Sequence, residues 1–242
     1  MHISRRSFVK TLAILPILHS CGSGRTITQV TITKTPDSAF DLSGWKLQIP
    51  GPKEIKDLRT YTSKYFYLNA QNQLCFTVDC AETGSTPNSS FVRSELRHLA
   101  QWNVLDSSAK TLSATLNVAS AADPDKVTVM QIHGITADGG PIPPLLRIAL
   151  NRGALYAFIK KNSAGNETAS TLLAADVGAR QFTCAITVQS GRIAIAVNGT
   201  QLMSQDVSFW PYGNYFKTGC YPQAQRGIVT VALSELMVQG LS

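Results

Sequence analysis

The 242-residue chain has no apolar run long enough to cross a bilayer, which takes about 20 residues. The longest candidate near its start, Thr11 to Leu18, can serve only as a targeting segment. Its five cysteines show neither a CxxC pair nor a histidine at the spacing of a zinc site, so the expectation is no metal and buried thiols. Lysine and arginine are not clustered, which argues against a nucleic-acid partner despite a formal net charge of +7. Helical periodicity is scarce and no internal repeat is found, so neither a helical bundle nor a solenoid is expected.

What is present begins with an address. Met1 to Leu18 has a basic start and then an apolar run, and Ser4-Arg5-Arg6-Ser7-Phe8-Val9-Lys10 resembles a twin-arginine export signal. Leu18-His19-Ser20-Cys21 resembles a lipoprotein processing box, which makes Cys21 the candidate lipidation site and membrane anchor. The expected organisation is a signal over residues 1–21, a Thr/Ser-rich flexible tether over 22–38 and one folded domain over 39–242. The expected location is outside the cytoplasm: periplasmic, as a membrane-anchored lipoprotein, or secreted. Without Arg5, Arg6 and Lys10, the 22 basic and 15 acidic residues leave a net charge of about +4, suited to an anionic polymer. Twin-arginine cargo folds in a reducing compartment, so the fold should not depend on disulfides; Cys75, Cys80, Cys184 and Cys220 allow three pairings, and spacing does not choose.

From Phe40 onward, short β-rich runs alternate with Gly, Pro, Asn and Asp: WKLQI, YFYL, LCFTV, FVRSELR, TLSATLNV, KVTVMQIH, LLRIAL, ALYAFIK, FTCAITV, RIAIAV, YFKTGCY and IVTVALSELMV. This pattern predicts an all-β fold, a two-sheet sandwich or β-jelly roll. Short helical turns are expected at Ala121 to Pro124 and Leu172 to Val177. Gln189-Ser190-Gly191-Arg192 and Asn198-Gly199 read as tight hairpin turns, and Asp138-Gly139-Gly140-Pro141 as the start of a loop.

Three of these runs carry polar residues at alternate positions: Arg93, Glu95 and Arg97; Gln131 and His133; Lys217, Tyr221 and Gln223. As strands they point these side chains to one face, because successive residues alternate sides. Such a wall holds an acid/base pair, cations and an amide, the groups needed for chemistry on an anionic substrate. In Lys126 to His133 the odd positions begin apolar and end polar, as expected where a strand runs into a cleft. Trp45, Trp102 and Trp210 are expected in the core or at its rim.

RSELR, QIH and YFKTGCYPQ, in this order and together with Phe40-Asp41-Leu42-Ser43-Gly44-Trp45-Lys46-Leu47-Gln48-Ile49-Pro50, resemble the signature segments of polysaccharide lyase family 7, the alginate lyases. The resemblance covers residues 39–242. It implies a jelly roll with a concave sheet as the cleft for an acidic polysaccharide, and β-elimination without metal or cofactor. Chemistry on a 4-linked uronate fits these residues. The sugar carboxylate must be neutralised, for which Gln131 and Arg93 are the candidates. His133 is the candidate base for the C5 proton and Tyr221 the candidate acid for the leaving O4. Arg97 and Lys217 are expected beside Tyr221 as grip and field; Glu95 is expected to hold Arg93 and Arg97, and Gln223 to border the substrate. On mannuronate the proton leaves from the other side, so there Tyr221 would serve as both base and acid. In this family the residue between Gln and His tracks preference, and Ile132 associates with guluronate-containing blocks. A monomer acting on alginate or a related polyuronate is the expectation. Two other classes compete. A glycoside hydrolase needs two carboxylates, whereas Glu95 is the sole acid in the three segments. A non-catalytic carbohydrate-binding module would not need His133, Tyr221 and Gln131 together.

Overall fold

The computed structural model describes residues 35–51, 53–82, 89–178 and 180–241. The export segment, Cys21 and most of the expected tether lie outside the described residues. Strands in chain order are β1 Trp45–Ile49, β2 Lys53–Ile55, β3 Phe66–Leu68, β4 Leu74–Asp79, β5 Ser94–His98, β6 Lys110–Ser120, β7 Lys126–Ile135 and β8 Pro141–Asn151. They continue as β9 Ala154–Lys160, β10 Thr168–Ala174, β11 Phe182–Gln189, β12 Arg192–Val197, β13 Thr200–Asp206, β14 Gly213–Pro222 and β15 Ile228–Gln239. Every pairing between them is antiparallel.

Eight strands form one sheet in the order β10-β9-β8-β7-β14-β5-β1-β2, and seven form the other in the order β13-β12-β11-β6-β15-β4-β3. The fold is therefore the expected all-β sandwich of jelly-roll type. Strict alternation drives it. In β11 Phe182, Cys184, Ile186 and Val188 are buried while the residues between them are not, and β9 and β12 alternate in the same way. Phe66, Phe76, Leu96, Leu116, Met130, Phe216 and Leu233 fill the space between the sheets. Trp45, Trp102 and Trp210 belong to this core, at 5% exposure or less, so none is a platform for sugar rings. All four cysteines of the domain are buried and free. Burial pushes the Cys184 thiol up to about 12, so it has no thiolate chemistry at neutral pH.

The hairpin turns form as read. Ser190 and Gly191 between β11 and β12, and Asn198 and Gly199 between β12 and β13, all take positive φ, the geometry that matches strand twist. Three expectations need correction. Ala121 to Pro124 and Leu172 to Val177 are not helical: Asp123 bridges to Arg226, and Leu172 to Ala174 continue β10. The folded part begins by Thr35, not residue 39, because Pro36–Ser38 form a 3-10 turn whose Pro36 is buried and whose Asp37 accepts from the Leu42 amide at 3.3 Å. Finally, β7 does not alternate evenly. Its pairing with β8 slips between Thr128 and Met130, and against β14 Thr128 lies opposite Tyr221 while Gln131 lies opposite Lys217. Lys126 and Thr128 thereby join Gln131 and His133 on the polar face. The apparent change of character along one face is a bulge that swaps faces.

Candidate active site

The three motif segments are adjacent strands, in the order β7-β14-β5. Register then sets the neighbours: Lys217 lies opposite both Arg97 and Gln131, Gly219 opposite Glu95, and Tyr215 opposite His133. Paired residues of an antiparallel sheet face the same way, so the polar residues converge on the outer face of the eight-stranded sheet.

At the centre is Glu95, fully buried. It accepts from Arg93 Nη1 at 3.3 Å, from Lys217 Nζ and from Gln131 Nε2. Burial alone would raise its pKa, but Lys217 and Arg93 outweigh that and hold the carboxyl below its ordinary range. Glu95 is thus an anion at neutral pH, with no free face for a substrate. Lys217, at 2% exposure, also donates to Gln48 Oε1 at 2.8 Å. Burial pushes the Lys217 ammonium down to about 8, against the pull of Glu95. Arg93 and Arg97 add to that depression. One carboxylate faces three cations here, and the Nε groups of Arg93 and Arg97 are buried without a partner among the described residues. The unbalanced positive charge suits a ligand carboxylate.

His133 follows Gln131 two residues on along β7, opposite Tyr215. Burial, and after it the charge of Lys217, push its imidazole down to about 4, so it is neutral at physiological pH. Its Nδ1 lies 3.1 Å from the Gly134 carbonyl oxygen and 3.0 Å from the Tyr215 hydroxyl. A carbonyl only accepts, so the first contact assigns the proton to Nδ1 and the lone pair to Nε2. Tyr215 stacks on the imidazole with ring centres 5.3 Å apart and 14° between planes, and Arg97 lies over the Tyr215 ring at 4.0 Å. Tyr221 is held separately. Its hydroxyl is 2.7 Å from Ser89 Oγ, and the Arg93 guanidinium lies 3.9 Å above its ring. Gly219 makes the close approach of β14 to β5 possible. It has φ +139°, and a Cβ there would sit 2.6 Å from the Ser94 carbonyl oxygen.

Arg93, Gln131, His133, Tyr221, Arg97 and Lys217 therefore share one site, while three expectations change. The cation on Tyr221 is Arg93; Arg97 belongs to Tyr215. Glu95 binds Arg93, Lys217 and Gln131 rather than Arg97, and acts as a buried counter-ion, not a contact for substrate. Gln223 donates to the Tyr221 carbonyl oxygen at 2.6 Å and accepts from Thr128 Oγ1 at 3.2 Å, so it braces the strand. Tyr215, Gln48 and Ser89 were not legible as site residues. Tyr215 shares the odd parity of Lys217 and could have been found from alternation; Gln48 and Ser89 come from distant segments. No group of three or more possible metal ligands occurs among the described residues.

A sequence model of the alginate lyases matches residues 40–239. The chain belongs to the alginate lyase family. Solved structures agree: alginate lyase A1-II', a member of polysaccharide lyase family 7, is 30% identical with a TM-score of 0.79, the match covering 85% of this chain and 98% of that one. Alginate lyase PA1167 from Pseudomonas aeruginosa is 28% identical with a TM-score of 0.73, covering 83% and 99%. The alginate lyase from Corynebacterium sp. is 25% identical with a TM-score of 0.73, covering 86% and 98%. No curated protein matches the chain. The protein is a polysaccharide lyase of family 7.

Proposed function

We propose that the enzyme cleaves alginate by β-elimination, leaving oligosaccharides with a C4–C5 double bond at the new non-reducing end. The observation that carries the reading is a neutral His133 with Nε2 unprotonated, on the same face as Gln131, Arg93 and Tyr221 and beside an excess of buried cations. Arg93 and the second N–H of Gln131 bind the uronate carboxylate and stabilise the charge that develops when C5 loses its proton. His133 Nε2 takes that proton. Tyr221 gives its proton to O4 as the C4–O4 bond breaks; the carbanion electrons form the double bond, so atoms and charge balance. A related observation supports the roles: A1-II' was crystallised with a bound substrate, GGMG, as a histidine-to-asparagine and tyrosine-to-phenylalanine variant. The test is ultraviolet absorbance of the unsaturated product on incubation with alginate. Tight binding without absorbance would leave a binding module, and new reducing ends without absorbance a hydrolase.

Guluronate-containing blocks are the proposed preference, supported by Ile132 between Gln131 and His133. The Ile132 side chain is fully buried, so any influence runs through the placement of its two neighbours. Product analysis on polyguluronate, polymannuronate and alternating polymer decides it. The N-terminal segment supports action outside the cytoplasm, anchored through Cys21. Mass spectrometry of the mature N-terminus would reveal a lipid on Cys21 or its absence.

The pH profile follows from two groups. His133 is a usable base only above about 4, and Lys217 is a cation only below about 8. The expected kcat/KM is level between these limits, falling on the acid side as His133 protonates and on the alkaline side as Lys217 discharges. Lys217→Arg, which keeps the charge, should move the alkaline limb upward. An acid limb near the ordinary histidine value of about 6.5 would contradict the buried, neutral base.

A further inference from the structure

The polar face does not end at Gln131. One cross-strand row runs Lys46, Arg97, Lys217, Gln131, Arg147 and Phe158 over β1, β5, β14, β7, β8 and β9, each residue opposite the next. Neighbouring strands lie about 4.8 Å apart, so the row continues roughly 10 Å past Gln131 to reach Phe158. Its far part differs in charge balance from the near part. Lys46 is ion-paired with Glu54, and Lys217 with Glu95. Arg147, Lys126 and Lys160 pair with no carboxylate among the described residues. The Lys126 ammonium lies 5.2 Å and the Arg147 guanidinium 5.5 Å from the centre of the Phe158 ring. Lys160 donates to Thr168 Oγ1 at 3.1 Å on the next strand. Burial, and then the charge of Arg147, lower the pKa of both Lys126 and Lys160. Arg147 reaches the other way too, close enough to Tyr221 for the two to interact electrostatically.

Unpaired cations gathered around a half-buried aromatic ring repel one another, and an anionic ligand relieves that repulsion. A sugar ring has an apolar face for Phe158 and, in a uronate, a carboxylate for Arg147. We propose that Arg147, Lys126 and Lys160 around Phe158 form a distal uronate-binding station, which grips sugar units beyond the cleaved bond as the polymer crosses the strands along this row. The station rests on the lyase reading and adds a length requirement to it. These groups act through binding and positioning, with Arg147, opposite Gln131 and within electrostatic reach of Tyr221, as the end of the station nearest the reacting atoms.

The test compares the native enzyme with Arg147→Ala, Lys126→Ala and the double variant on purified alginate oligosaccharides from the shortest cleaved to six or more units. The expected deficit in kcat/KM grows with chain length, reaching about tenfold for the double variant on the longest, carried by KM rather than kcat. A deficit equal at every length, or none, overturns the station. If the native enzyme makes no unsaturated product, the lyase reading itself fails. Calorimetric binding of the hexasaccharide still decides the station in that case: affinity unchanged in the double variant overturns it, and a loss near tenfold supports it.

Discussion

Tyr221→Phe is expected to lower kcat by about 10²–10⁴-fold, because the substitution removes one proton donor and leaves the ring in place. The Arg93 guanidinium can still stack on the ring, so substrate binding and thermal stability should change little. His133→Ala should cause a loss of similar size, and the double variant much less than the product of the two, since acid and base act on one transition state. The comparison that separates roles is Tyr215→Phe. Tyr215 also has a hydroxyl beside His133, at 3.0 Å, but burial raises its pKa and it lies against Nδ1 rather than Nε2. Its loss should loosen the imidazole and cost far less than loss of Tyr221. Near-normal turnover in Tyr221→Phe, or a Tyr215→Phe defect equal to it, would remove Tyr221 from the role of acid.

Glu95→Ala should unfold the site rather than merely slow it. Arg93 and Lys217 would be left buried without their shared anion, and breaking a buried pair in this way costs about 3–5 kcal/mol. For a domain of this size that lowers Tm by roughly 10 °C, with turnover lost as well. The same reasoning gives the pH direction. A carboxyl held below its ordinary pKa stabilises the fold above the unfolded value of about 4.5, and that contribution is lost as pH falls through the folded value. His133 adds to the loss: between about 6.5 and 4 the unfolded chain binds the proton and the folded one does not. A double variant, Glu95→Leu with Lys217→Met, should regain part of the lost Tm without regaining activity. An unchanged Tm in Glu95→Ala, measured by calorimetry, would show that the cluster is not held by this carboxylate.

Every β-rich run picked out by alternation became a strand, and three strands were not picked out. Those three, β2, β10 and β13, are edge strands, β10 and β2 closing one sheet and β13 one side of the other. An edge strand buries less of itself, and β10 and β13 show mostly exposed or half-buried positions. Their sequences therefore lack the strong apolar alternation that marks a central strand. The bulge in β7 was hidden for a different reason. Thr128, Val129 and Met130 look like ordinary strand residues, and the slip exists only in how they meet β8 and β14.

Alternation and turn residues act over a few neighbours, so the class of fold, the strands that carry the motifs and the residue types of the chemistry were legible in the chain alone. Family membership was legible there too, in the order of RSELR, QIH and YFKTGCYPQ. Tertiary structure alone decided who meets whom: that Glu95 joins Arg93, Lys217 and Gln131, that Arg93 rather than Arg97 covers Tyr221, and that Gly134, by accepting from Nδ1, frees Nε2 of His133. Apart from Arg93 with Glu95 and His133 with Gly134, which are near neighbours in the chain, those contacts join residues tens to more than a hundred positions apart. Cross-strand register sets most of them, and register is a property of paired strands that no single strand contains.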